Sequence, residues 1–187
     1  LNKVFFPEID PLMGTLAAFA SYAVGFLARP IGGLVLGYMG DKYGRKTILV
    51  LTLFLMGGAT TAIGLLPSYA SIGIWAPILL VLMRLLQGFG AGGEYAGAVV
   101  LSVEHAQQGK RGAAGAWAPM GFAAATLLAN AVFFFFLSIL SDEQFMAWGW
   151  RIPFLLGAVC MLVGYFIRRN IEEPPAFEHA QTTHKTQ

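Results

Sequence analysis

The sequence predicts an all-α integral membrane protein, on two observations. Hydrophobic residues make up 57% of the 187 residues and charged residues only 12%, and the mean hydropathy is +0.65. This apolar share is well above that of a soluble domain. Apolar stretches of about 20 residues also recur, a length that crosses roughly 30 Å of hydrocarbon. Because lipid offers no hydrogen-bond partners, each stretch must form a helix that satisfies its own backbone.

Five transmembrane helices are predicted, separated by connections that carry turn and charge signals. They lie near 14–39, 48–66, 75–102, 113–139 and 149–168. Small residues spaced four apart should allow close helix packing, in the pairs Gly33 with Gly37, Gly88 with Gly92, and Gly93 with Gly97. Pro30 predicts a kink in the first span.

Lysine and arginine occur on alternate connections. The basic residues there are Lys42, Arg45, Lys46, Lys110, Arg111, Arg168 and Arg169. The intervening connections, 67–74 and 141–148, contain no lysine or arginine. The positive-inside rule therefore predicts cytoplasmic basic connections, a cytoplasmic C-terminal tail and an outside N-terminus. Trp75, Trp148 and Trp150 should then form an interfacial belt at the outer boundary.

The two ends of the chain predict a piece of a longer protein. An outside N-terminus before five spans is expected where a preceding helix is missing. We therefore interpret 1–168 as a partial transmembrane bundle. Apolar periodicity stops after Pro174-Pro175, so 169–187 should begin a polar cytoplasmic linker.

Three charged side chains lie at membrane depth, away from the ends of the predicted spans: Arg29, Arg84 and Glu94. Such groups cost roughly 2.5–3.5 kcal/mol each on insertion scales and are functional candidates by default. Counted from the outer ends of the spans, Arg84 lies about 14 Å deep, Arg29 about 22 Å and Glu94 about 28 Å. The two arginines thus bracket the middle of the bilayer, where transporters bind their cargo.

Helical spacing places Arg84, Gln87, Ala91 and Glu94 on one broad face, which predicts the lining of a polar cavity. Arg29, Arg84 and Gln87 are the candidate solute-binding residues. Arg84 and Glu94 are about 15 Å apart along one helix and are too distant to pair, whereas Arg29 and Glu94 differ by about 6 Å in depth and could pair. For Glu94, a structural ion pair and a role in proton coupling both stay open.

The connection after the first span resembles the loop signature of the major facilitator superfamily. It reads Gly37-Tyr38-Met39-Gly40-Asp41-Lys42-Tyr43-Gly44-Arg45-Lys46. Glu104 and Arg111-Gly112 are similar to the pattern that ends the fourth helix of sugar-porter-like members, without its proline. The resemblance implies a gating motif composed of Gly37, Asp41, Lys42, Gly44, Arg45, Lys46, Glu104 and Arg111.

Three further segments resemble the metabolite:proton symporter group of that superfamily. They are 26–33, 84–94 and 148–154, which read FLARPIGG, RLLQGFGAGGE and WGWRIPF. Segments 2–7 and 142–145 look closest to shikimate- and α-ketoglutarate-type carriers. The resemblance implies the second to sixth helices of a twelve-helix transporter, and so most of its N-terminal six-helix half.

The resemblance also implies a function: proton-coupled symport of a small organic acid or zwitterion across a bacterial inner (cell) membrane. The expected partners are this solute, the lipid bilayer, the first helix and the C-terminal half of the same transporter. The proton is the expected coupling ion, and no cofactor, metal or nucleic-acid partner is expected. An uncoupled facilitator and a transporter-like solute sensor stay open as alternatives.

A membrane-bound enzyme is disfavoured by the residues themselves. His105, His179 and His184 have no carboxylate or cysteine partners at ligand spacing. Cys160 is the single cysteine, so neither an internal disulfide nor a cysteine metal cluster can form. The net charge of +2 is too small to indicate nucleic-acid binding.

Overall fold

One long helix is found at each of the five predicted spans, which confirms the all-α prediction. The structure, a computed structural model, describes residues 2–7, 10–104, 106–107 and 109–170. The long helices are α2 (Pro11–Tyr43), α3 (Arg45–Leu65), α5 (Trp75–Glu104), α6 (Arg111–Ile139) and α8 (Arg151–Arg169). The short elements are α1 (Asn2–Phe5), α4 (Tyr69–Ile72), α7 (Asp142–Gln144) and a π-helical turn (Phe145–Gly149).

All five long helices have the length and hydropathy needed to cross a membrane. The helix α2 runs on through Pro30 without interruption. Two predictions concern residues outside the described part of the chain. The first prediction is the polar linker, of which residues 171–187 are not described. The second is that the histidines at 105, 179 and 184 have no partners for a metal or catalytic site.

Contacts between helix ends fix an up-and-down arrangement. At one end, which we call the basic end, Arg45 at the start of α3 meets Glu104 at the end of α5. Lys46 donates a hydrogen bond there to the carbonyl of Arg169 at the end of α8, at 3.0 Å. The opposite end, the aromatic end, holds the C-terminus of α3 and the N-termini of α5 and α8. Alternate connections therefore lie at the same end, as the charge pattern predicted.

The helices α2 and α5 cross so closely that their backbones touch. A Cβ atom on Gly88 would overlap the carbonyl oxygen of Gly25, and one on Gly92 would overlap the carbonyl oxygen of Arg29. A Cβ on Gly25 would approach the carbonyl oxygen of Arg84 to 2.9 Å. Glycine at these positions removes the side chains that would hold the helices apart. The crossing therefore fixes both arginines relative to each other.

The predicted pairing of small residues needs one correction. Gly33, Gly88, Gly92 and Gly93 all lie against a neighbouring helix, but a Cβ on Gly37 would have no neighbour within 4 Å. Gly37 instead lines a small gap beside Leu36, Gly93 and Gly97. It does not pack helices within this bundle.

The helices α3 and α8 also pack through small residues, along one face of each. The contacts step along both helices in register: Gly157 with Thr60, Met161 with Gly57, Gly164 with Leu53, and Arg168 with Leu49. The spacing of four, three and four residues on α8 is that of one helix face. This register carries the side chain of Arg168 onto α3.

The largest buried apolar cluster lies at the aromatic end. Its members come from α1, α3, α5 and the residues before α8, namely Val4, Phe5, Ile63, Leu66, Ala76, Leu80 and Trp150. Trp150 is only 5% exposed and packs edge-to-face against Phe5 with ring centroids 5.8 Å apart. The Trp150 ring thus lies at the predicted end of the bundle but fills the protein core, whereas Trp75 and Trp148 are exposed there.

The connection at the basic end between α2 and α3 is a single residue. Both helices continue beyond the predicted spans, and only Gly44 separates them, with φ 101°. L-residues with a side chain rarely adopt a positive φ of this kind, so glycine permits this turn. Asp41 and Arg45 consequently lie one helical turn apart on opposite sides of a sharp bend.

Gly88→Ala should destabilise the protein because the added methyl group would push α5 away from α2. Overpacking of this kind costs about 1–3 kcal/mol. We expect a clear fall in the melting temperature of the full-length protein purified in detergent. Gly58→Ala is the matched control, since a Cβ there meets nothing within 4 Å. Equal stability of the two variants would contradict the close crossing.

Candidate functional site

Arg29 and Arg84 open onto one small cavity between α2, α3 and α5. Its volume is ≈ 190 Å³. Polar groups from all three helices surround it, and the lining residues include Tyr22, Phe26, Arg29, Thr60, Arg84 and Gln87. The α2–α5 crossing places the two cations on one cavity, which sequence spacing alone could not establish.

A chain of hydrogen bonds holds Arg84. Its Nη1 donates to Oε1 of Gln87 at 3.0 Å, and Nε2 of Gln87 donates to Oγ1 of Thr60 at 2.5 Å. The Thr60 hydroxyl in turn donates to the carbonyl oxygen of Met56 at 2.7 Å. The guanidinium also lies 5.3 Å from the ring centroid of Tyr22. Arg84 is therefore oriented by neutral groups, and no acid among the described residues pairs with its positive charge.

Arg29 has even fewer partners. Its guanidinium carbon lies 3.8 Å from the ring centroid of Phe26, and its Nε is buried without a hydrogen-bond partner. Within the described part of the chain, Arg29 forms no ion pair. A half-buried guanidinium with unused donors has the capacity to bind an anion.

A larger cavity of ≈ 810 Å³ adjoins the first one towards the basic end. The helix α6 contributes to its wall. Both cavities are lined by Phe26, Arg29, Met56 and Ala91, whereas Glu94 and Phe122 line only the large one. The face of α5 predicted to line a cavity thus runs from Arg84 in the small cavity to Glu94 in the large one.

Glu94 pairs with Arg168 of α8. The Nη2 of Arg168 contacts Oε1 of Glu94, its Nη1 donates to Oε2 at 3.1 Å, and Oγ1 of Thr52 donates to Oε2 at 2.6 Å. The possible pairing of Glu94 with Arg29 is therefore not the one observed. The physical reason is the α3–α8 register, which delivers a second guanidinium to Glu94.

Sequence reasoning did not assign Arg168 to the site, because a basic residue at the end of a span also serves as a topology marker. A signal was present in the chain. Gly157, Met161, Gly164 and Arg168 share one face of α8, so the small residues that mark a packing face point Arg168 towards a neighbouring helix. Thr52 and Thr60 carried no comparable signal, since threonine is common in such helices.

The predicted gating residues meet only in part. Nη2 of Arg45 lies 3.0 Å from Oδ1 of Asp41, and Nε of Arg45 lies 3.8 Å from Oε2 of Glu104. Arg45 thereby connects the C-terminal end of α2 to the end of α5. Lys46 contacts the backbone of Arg169 at the same end of the bundle. The Asp41 side chain is 66% exposed, so it stays accessible to a further partner.

Arg111 does not join this cluster, contrary to prediction. Its side chain is exposed at the first position of α6, and among the described residues it forms no ion pair. Oε2 of Glu104, the atom that faces Arg45, is buried and accepts no hydrogen bond from the described residues.

The arrangement can bind charge but offers little for bond-making chemistry. It combines two oriented guanidinium groups, a neutral hydrogen-bonding chain and an acid neutralised by a third arginine. Among the residues that the structure describes, no group of three or more histidine, cysteine, aspartate or glutamate residues is placed to hold a metal.

Comparison with known sequences places the chain among transport proteins. The profile of the sugar (and other) transporter family matches residues 11–187. The chain is 48% identical to the shikimate transporter of Escherichia coli over 96% of its own length and 41% of that protein. It is 47% identical to the proline/betaine transporter of Salmonella typhimurium over 95% of its own length and 36% of that protein. The chain thus spans about two-fifths of these relatives.

Solved structures show the same fold. The inward-open xylose transporter XylE of Escherichia coli superposes with a TM-score of 0.80 at 20% identity, over 95% of this chain and 43% of that one. The major facilitator superfamily proton:xylose symporter XylE bound to 6-bromo-6-deoxy-D-glucose gives a TM-score of 0.86 at 18% identity, over 97% of this chain and 41% of that one.

Thr60→Val should destabilise the site, because Nε2 of Gln87 would lose its acceptor in a half-buried position. An unsatisfied buried group costs about 1–3 kcal/mol. We expect a lower melting temperature in detergent for Thr60→Val than for Thr61→Val. Thr61 is the matched control, since its hydroxyl donates to the carbonyl of Gly57 in its own helix. Equal shifts in the two variants would show that the hydrogen-bond chain does not stabilise Arg84.

Proposed function

The chain belongs to the sugar (and other) transporter family of the major facilitator superfamily, and from that premise we propose that it forms most of one half of a proton-coupled transporter for a small organic acid or zwitterion. The relatives of this chain are transporters and not enzymes. Alternating access in such folds works by one half of the protein moving against the other around a central site. A second half and a further helix complete the proposed protein.

The observation that carries the proposed solute class is the pair of cations on one cavity. Neither Arg29 nor Arg84 has an acidic partner among the described residues, although both lie within a membrane-spanning helix. An unpaired charge at this depth costs free energy that a bound carboxylate would recover. A guanidinium also offers paired donors that match the two oxygens of a carboxylate.

The names of the relatives support this class independently. The shikimate transporter takes its name from a carboxylic acid, and the proline/betaine transporter takes its name from zwitterions with a carboxylate. The fold neighbours are xylose transporters, but their identity of 18–20% supports the fold alone. We therefore favour a carboxylate over a neutral sugar as the solute.

Proton coupling is proposed for Glu94, the acid that faces the large cavity. A carboxylate that lines the path and is paired with an arginine can take up a proton when that ion pair opens. The position of Glu94 on the cavity wall supports this role.

The basic end is proposed to be cytoplasmic, in a bacterial inner membrane, with Asp41, Arg45 and Glu104 forming a gate latch. Several lysine and arginine residues at one end of the bundle support this orientation. The exposed Asp41 carboxylate could cap the N-terminus of a helix from the other half when the transporter opens outward. Exposed ion pairs of about 0–1 kcal/mol suit a latch that must open and close.

The solute class is tested by uptake into proteoliposomes that contain the full-length transporter, with a pH gradient imposed. We expect accumulation of labelled shikimate, glycine betaine or proline and little uptake of xylose. Arg84→Lys should raise the KM for the carboxylate about tenfold or more, since lysine loses the bidentate contact. Arg169→Lys is the control on an exposed arginine outside the predicted gating motif. Uptake of xylose alone would refute the proposed class, and uptake of a carboxylate without dependence on the pH gradient would refute symport.

The latch is tested by Asp41→Asn. We expect this variant to reach the membrane and bind solute with normal affinity, yet to transport several-fold more slowly, because the outward-open state loses a stabilising contact. Initial uptake rates and a separate binding measurement distinguish the two effects. Glu143→Gln, an exposed acid at the aromatic end, is the matched control. Normal rates for both Asp41→Asn and Arg45→Ala would show that the cluster serves only to orient the protein.

A further inference from the structure

Glu94 and Arg29 face the same large cavity but do not form an ion pair with each other. The backbone of Arg29 touches Gly92, two residues before Glu94 on the same helix. Arg29 also has a buried Nε without a partner. An unpaired cation and a carboxylate that line one cavity attract each other where water is scarce. Their separation in the structure therefore needs a physical cause.

Arg168 supplies that cause by engaging both oxygens of the Glu94 carboxylate. One guanidinium nitrogen contacts Oε1 and the other donates to Oε2, which also accepts from Thr52. A fork of two charge-assisted hydrogen bonds is among the strongest side-chain contacts. The two side chains are only 18% and 23% exposed, so solvent screens the pair less than a surface pair.

Arg168 is itself fixed to α3. Its Nη1 contacts the carbonyl oxygen of Leu49, which also lies 2.9 Å from Oγ1 of Thr52. The residues that precede it on the same face of α8, Gly164 and Met161, pack against α3 in a single register. The carboxylate of Glu94 is thereby held on the α3 and α8 side of the cavity, away from α2.

We infer that Arg168 is a positioning residue, which keeps Glu94 off Arg29 and so leaves the Arg29 guanidinium free for a solute carboxylate. The binding of a solute by Arg29 rests on the proposed function, whereas the competition between Arg168 and Arg29 for Glu94 does not. Removal of the Arg168 charge should let Glu94 turn to Arg29. Removal of both the Arg168 and the Glu94 charges should free Arg29 again.

Phenylglyoxal labelling of the full-length transporter in detergent tests this competition without any solute. The reagent modifies accessible, unpaired guanidinium groups, and peptide mass spectrometry measures the labelled fraction at Arg29. We expect Arg168→Gln to lower labelling of Arg29 about threefold to fivefold, the shift that a partly exposed ion pair supports. The double variant Arg168→Gln with Glu94→Gln should restore the parent level.

Arg169→Gln is the matched control, since it removes the same charge one residue along, from a side chain that is exposed. It should leave labelling of Arg29 unchanged. A general loosening of the bundle in Arg168→Gln would raise the labelling of Arg29, so the direction of the change separates competition from misfolding.

Equal or higher labelling of Arg29 in Arg168→Gln than in the parent would overturn the inference, as would a double variant that stays low. Uptake into proteoliposomes tests the solute class separately. If labelling follows the expected pattern and no carboxylate is transported, the proposed function fails while the competition for Glu94 stands.

Discussion

The direct backbone contact between α2 and α5 determines the rest of the site. Lipid provides no hydrophobic force between helices, so association depends on close packing, and glycine is the residue that allows backbones to touch. Gly25 against Gly88 and Gly92 against Arg29 set the crossing point. That crossing brings Arg29 of one helix and Arg84 of the other onto a single cavity. A bulkier crossing would separate the two cations and remove the shared cavity.

The second constraint is the free-energy cost of a charged side chain within the membrane, which an ion pair or a bound ligand offsets. Glu94 finds its partner in Arg168, which is carried to it by the small-residue face of α8. Arg84 is held by Gln87 and Thr60 without losing its charge, and Arg29 keeps unused donors. Among the described residues, the bundle thus neutralises Glu94 internally and leaves Arg29 and Arg84 without an acidic partner. This asymmetry connects the packing of glycine faces to the proposed selection of an anionic solute.

Much of the fold could be predicted from the sequence, because span length, charge alternation and turn glycines are local signals. The turn at Gly44 and the shared helix face of Arg84 and Gln87 follow from counting along the chain. The pairing of Glu94 could not be obtained in this way, since it depends on the register between α3 and α8. The burial of Trp150 was missed for a similar reason, because the core that buries it is assembled from four parts of the chain.

Selection of a carboxylate-bearing solute requires that Arg29, Arg84 or both bind the solute carboxylate. A cryo-electron microscopy structure of the full-length transporter with bound shikimate or glycine betaine tests this requirement most directly. We expect the solute carboxylate to lie within hydrogen-bond distance of at least one of these guanidinium groups, with Glu94 still paired to Arg168. A solute bound with its carboxylate away from both arginines would contradict the proposed binding site.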